Sequence, residues 1–88
     1  MTLEADFRAG LERDGFTVLE VNWSAAKVNA MHTHDFSARL LCTSGTVTIE
    51  TADGVRTYQA GEQFDMPAGR AHGETAGVDG AQLVVGRR

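Results

Sequence analysis

The sequence predicts a small all-β domain, an antiparallel barrel or sandwich with one short helix at its N-terminus. Three observations lead there. After residue 15 the apolar residues recur with period two rather than 3.6. Turn-forming residues punctuate the chain at short, regular intervals. A chain of 88 residues with one cysteine, Cys42, has no internal disulfide to hold a looser fold together. Such a chain buries only about 60–65% of the surface that its unfolded form exposes. It therefore packs economically, pairs with a second copy, or takes a metal as a brace.

The helix is expected over residues 2–14. Leu3, Phe7 and Leu11 recur along one side, with Glu4, Arg8 and Glu12 on the other. Thr2 can cap its start, and Gly15 sits where a left-handed residue ends a helix. From Phe16 to Trp23 the pattern is that of a strand with apolar residues on both faces. Further strands are expected at 27–34, 38–42, 46–51, 55–58, 63–66, 71–75 and 82–85. Between them, Thr43-Ser44-Gly45 reads as a tight corner and Asp53-Gly54 as a hairpin turn. Ala60-Gly61 and Pro67-Ala68-Gly69 read as turns, and 77–80 as a loop before the last strand. Arg87-Arg88 reads as a solvated tail. The core is expected from Trp23, Phe36, Leu40, Val47, Ile49, Tyr58, Phe64, Met66, Leu83 and Val84.

Charge narrows the partners. Eight basic against twelve acidic residues give a net −4, which argues against nucleic acid, because phosphate binding needs a basic face. No apolar run approaches the roughly 20 residues of a membrane span. The acidic start, Met1-Thr2-Leu3-Glu4-Ala5-Asp6, lacks the basic-then-apolar order of a signal peptide. A single unpaired cysteine suits a reducing compartment, so a cytoplasmic location is expected.

The chemistry centres on three histidines, His32, His34 and His72. Residues two apart on a strand share a face, so His32-Thr33-His34 presents two imidazoles side by side. A third imidazole from another strand would complete one face of a metal site. Around His72 the chain reads Gly61-Glu62-Gln63-Phe64-Asp65-Met66-Pro67-Ala68-Gly69-Arg70-Ala71-His72. This stretch resembles the second motif of the cupin superfamily, G-x5-P-x-G-x2-H, at every defining position. The first cupin motif is matched in part. His32 and His34 supply its HxH pair and Gly45 its closing glycine, whereas its opening glycine falls at Ala26. The acidic ligand of that motif falls at Ala38 or Arg39, neither of which binds a metal. The asparagine that often ends the second motif falls at Ala76.

The resemblance covers roughly residues 16–86. It implies a cupin barrel, a jelly-roll-like double-stranded β-helix, over 16–88, with the 1–15 helix part of the same domain. It also implies one divalent transition-metal ion per chain, zinc, iron, copper, nickel or manganese, held by His32, His34 and His72. Three imidazoles without a carboxylate resemble the three-histidine cupins, which include iron dioxygenases. Three protein ligands leave an open position for water, dioxygen or an anionic substrate. Glu74, two residues after His72, is either an additional ligand or an exposed strand-end residue. Cys42 either lines the cavity or is a small buried hydrophobe. Arg39 either attracts a carboxylate substrate or lies on the surface.

Two functions of different kinds are compatible with these residues. One is a small metalloenzyme, an oxidoreductase of dioxygenase-like type acting on a small organic substrate, anionic ones included. The other is a non-catalytic small-ligand sensor with a structural metal. A homodimer is expected from the small size and from the habit of single-domain cupins.

Overall fold

In the computed structural model, which describes residues 2–88, the period-two segments join into one antiparallel six-stranded sheet. Helix α1 (Leu3–Arg13) precedes β1 (Thr17–Trp23), β2 (Val28–His32), β3 (Ala38–Thr51), β4 (Gly54–Gln59), β5 (Gln63–Met66) and β6 (His72–Arg87). The first half of β3 pairs with the second half of β6, and the second half of β3 with the first half of β6. Strands β1 and β5 flank one of these halves, β2 and β4 the other. Two sheet halves thus share two long central strands. The result is an all-β jelly-roll barrel with one short helix.

The expected strands at 38–42 and 46–51 are one strand, as are those at 71–75 and 82–85. The expected corner at Thr43-Ser44-Gly45 and the expected loop at 77–80 are irregularities within continuous pairing. The register shifts between Cys42 and Ser44 and again between Gly45 and Val47. Alternation shows why those shifts are needed. Leu40 points into the main core before them, and Val47 and Ile49 point into it after them. An unbroken period of two would send the latter pair outward. The same exchange of even for odd positions separates Ala76 from Ala81, Leu83 and Val85 on β6. Gly45 has φ of 72°, and a Cβ there would stand 2.0 Å from the carbonyl oxygen of Gly80. The two long strands cross so closely that a side chain has no room.

The main core comprises Leu40, Val47, Ile49, Phe64, Met66, Ala76, Ala81, Leu83 and Val85, with Leu19, Val21, Trp23, Ala38 and Tyr58 packed against it. A second cluster on the outer face of the sheet joins Phe7 and Leu11 of α1 to Leu41 and Val84. Val84, expected in the barrel core, belongs to this outer cluster because it alternates with Leu83 and Val85. Phe16 and Val18 pack against it too, which accounts for the apolar residues on both faces of β1.

The helix begins as expected, with Thr2 Oγ1 accepting from the Ala5 N–H at 3.0 Å. It ends at Arg13, and Gly15, with φ of 82°, follows the Asp14 cap. Leu3, however, is 50% exposed, whereas Phe7 and Leu11 are buried. Arg87 and Arg88 have exposed side chains, as expected of a solvated tail, but their main chain is not free. Arg87 is paired with both Thr17 and Ala38, and Arg88 exchanges two backbone hydrogen bonds with Ser37.

Candidate metal centre

Strand β2 ends at His32, earlier than the expected 34, so His34 lies just beyond the ladder. The Gly69 N–H donates to the His34 carbonyl at 2.8 Å and fixes that segment against the turn preceding β6. His32 is paired directly with His72, the first residue of β6. Three segments therefore bring the imidazoles together. Ring centroids are 4.4 Å apart for His32 and His72, 4.7 Å for His32 and His34, and 5.3 Å for His34 and His72. The nearest ligand nitrogens of all three lie within 4.8 Å of one another.

The hydrogen bonds around the rings select their donor atoms. His32 Nδ1 lies 2.6 Å from the Ala30 carbonyl oxygen, and His72 Nδ1 lies 2.9 Å from that of Arg70. A carbonyl only accepts, so both Nδ1 atoms carry the proton and both Nε2 atoms present a lone pair. This is the orientation that a metal-ligating histidine needs. His32 Nε2 and His34 Nε2 are 3.1 Å apart, with one proton between them. Metal–imidazole bonds of about 2.0–2.1 Å place two neighbouring ligand nitrogens roughly 3.0–3.4 Å apart. The spacing of this pair matches, and a metal ion can take the place of that proton. His72 is 3% exposed, so its ring is held rigidly. His34 stacks on Phe36, with centroids 4.5 Å apart. Burial, then the nearby His32 and His72, hold the His34 pKa below its ordinary value and favour the neutral, metal-binding form.

The imidazoles face a cavity of about 510 Å³. Its walls include Trp23, Leu40, Met66 and Val85, and its charged lining residues besides histidine are Glu74 and Arg87. Glu74 shares the inward face of β6 with His72. Its Oε1 accepts from Asn29 Nδ2 at 3.3 Å and lies 3.7 Å from His32 Nε2. Arg39 and Cys42 do not line this cavity. Arg39 points to the helix side, with Nη1 3.2 Å from Asp14, Nε 3.5 Å from Asp65 and its guanidinium over Phe16. Cys42 is fully buried, with Sγ 3.6 Å from the carbonyl oxygens of Ser44 and Gly45. Burial raises its thiol pKa. The cavity residue that sequence reasoning passed over is Arg87. The inward alternation of Leu83 and Val85 leads straight to it.

No protein-family model matches the chain, and no curated protein sequence does. Solved structures do. A cupin-2 domain protein from Shewanella frigidimarina matches at 25% identity and a TM-score of 0.62, over 80% of this chain and 65% of its own. A protein of unknown function from Rhizobium leguminosarum matches at 16% identity and a TM-score of 0.78, over 84% and 70%. The polyketide cyclase RemF from Streptomyces resistomycificus matches at 23% identity and a TM-score of 0.70, over 86% and 58%. The chain thus spans between about half and two thirds of the length of several of its structural neighbours. Its fold is the cupin fold. That fold also serves Drosophila melanogaster CENP-C bound to CAL1 and an oxalate decarboxylase, so it does not by itself separate catalysis from binding.

Proposed function

We propose that His32, His34 and His72 hold one divalent transition-metal ion, and that a small organic ligand binds at its open position inside the barrel. The observation that carries this reading is the convergence of three imidazole donors, with the protons of His32 and His72 tied to backbone carbonyls. Zinc, iron, copper, nickel and manganese all accept such donors in the divalent state. Three neutral ligands leave the ionic charge uncompensated, and Glu74 is placed to offset it as an additional donor. The ion supplies Lewis acidity or oxygen activation when bound. The chain's own residues orient the ligand and keep bulk water from it, which suits a dioxygenase-like or other metal-assisted reaction.

A binding module is the second reading. All three histidines are committed to the proposed ion, and Glu74 is the one carboxylate in the cavity lining, already hydrogen-bonded to Asn29. No spare acid–base pair is left there. Loading with cobalt(II) and titrating with azide tests the open position. We expect a visible cobalt band that azide perturbs. A cobalt band insensitive to azide contradicts an open site and leaves a closed, structural metal.

The chain is further proposed to act as a homodimer in a reducing, cytoplasmic setting. The exposed apolar residues Val28, Met31 and Val55 and the free Cys42 support these two points. Among the described residues, no helix is long and apolar enough to cross a membrane.

A further inference from the structure

Four neighbouring contacts run across the cavity and change its character from one side to the other. Glu74 lies 3.7 Å from His32, His32 contacts His34, His34 stacks on Phe36, and the Arg87 guanidinium stands 4.6 Å from the Phe36 centroid. Glu74 thus adjoins His32 at one end of this run of contacts, and the Arg87 guanidinium adjoins Phe36 at the other. Glu74 already accepts a hydrogen bond from Asn29. Arg87, by contrast, has no ion pair among the described residues, whereas Arg8, Arg39 and Arg70 each face a carboxylate.

Arg87 is also well anchored. Its backbone is paired with β1 through Thr17 and with β3 through Ala38, and the following residue is tied to Ser37 in both directions. A cation on such a rigid element, beside an aromatic face and an apolar wall, is suited to a planar anion. Guanidinium matches carboxylate with two parallel hydrogen bonds.

We propose that Arg87 anchors the carboxylate of an amphipathic ligand whose apolar body fills the histidine cavity. The inference deepens the metal-centre reading and rests on it for the other end of the ligand. The guanidinium carbon lies no farther from the His34 centroid than the 4.5 Å and 4.6 Å steps through Phe36 added together. An extended chain advances roughly 1.2 Å per bond, so the interval corresponds to at most about seven bonds. Glu74, at the other end of the run, repels a carboxylate, so the ligand's anionic end is directed to Arg87. This places the anion contact at Arg87 rather than at Arg39, whose charge is already met by Asp14 and Asp65.

The test is calorimetric titration of the zinc-loaded protein with hexanoate and with its neutral isostere hexanamide, for wild type, Arg87→Gln and Arg39→Gln. Zinc content and the thermal midpoint are measured on each. We expect hexanoate to bind wild type at least about tenfold more tightly than hexanamide, as charge-assisted hydrogen bonds imply. Arg87→Gln should erase that preference while keeping its zinc, and Arg39→Gln should keep both. An undiminished preference in Arg87→Gln, or an equal loss in Arg39→Gln, overturns the assignment. Failure of wild type to bind hexanoate also overturns it, and retained zinc in that case leaves the metal reading standing. If zinc itself does not bind, the metal reading fails. Hexanoate titrations of the metal-free proteins then judge Arg87 alone, by the same comparison of variants.

Discussion

At the scale of single residues, protonation is the first consequence of the geometry. His34 titrates below its ordinary value, chiefly because its neighbours bury it and then because His32 and His72 repel a further charge. The folded state thus binds its proton less readily than the unfolded chain does. Above about pH 6.5 both forms are neutral and this difference vanishes. As pH falls below that value the unfolded chain protonates first, so metal-free protein loses stability. Urea midpoints at pH 7.5 and 5.5 should show a smaller decline for His34→Gln than for wild type. Equal declines would contradict the assignment. Metal affinity should fall over the same range, since each imidazole must be neutral to bind. Cys42 supplies a second prediction. Its buried thiol, with a raised pKa, should resist a chromogenic thiol reagent at pH 7.5 until the protein unfolds. Rapid reaction of the native protein would show an accessible thiol. The histidines were legible in the sequence because their motif spacing is a local property. That Arg39 faces away from the histidines was legible too, from strand alternation, whereas the isolation of Cys42 from the cavity was not, because it depends on how β3 bends.

At the scale of elements, the two long strands decide the shape. Gly45 combines a positive φ with backbone contact, since a Cβ would meet the Gly80 carbonyl at 2.0 Å. Gly15 has a similar φ but open space around it. Gly15→Ala should therefore cost about 1–2 kcal/mol from backbone conformation alone. Gly45→Ala should cost more than about 3 kcal/mol, because the overlap is with main chain and the strand crossing must open. Chemical denaturation distinguishes the two, and equal costs would contradict the close crossing. These same sites explain what sequence reading made of the strands. Residues 38–42 and 46–51 look like separate strands in the sequence, although they are one, because the inward face passes from even to odd positions between them. The pairing that continues through the irregularity is a long-range fact, visible only once β6 lies alongside. The second cluster under α1 was legible in part. Phe7 and Leu11 repeat at helical spacing, but their partners Leu41 and Val84 alternate with core residues and carry no separate signal.

At the scale of the whole molecule, the short chain closes a barrel by using β3 and β6 twice, once in each half of the sheet. This economy leaves Val28, Met31 and Val55 exposed at 67%, 51% and 65%. Light scattering coupled to size exclusion should give twice 9.4 kDa, and a species of 9.4 kDa alone would contradict a homodimer. The barrel also brings His72 back beside His32 across 40 residues, so the site forms only when the fold does. The measurement that bears most directly on this account is elemental analysis of protein purified without an affinity tag, repeated on His72→Ala, with circular dichroism to confirm that both are folded. Close to one transition-metal ion per chain is expected in wild type, with its loss from the folded variant. Equal metal content in the two, or a folded wild type that neither retains nor takes up a stoichiometric ion, would contradict it.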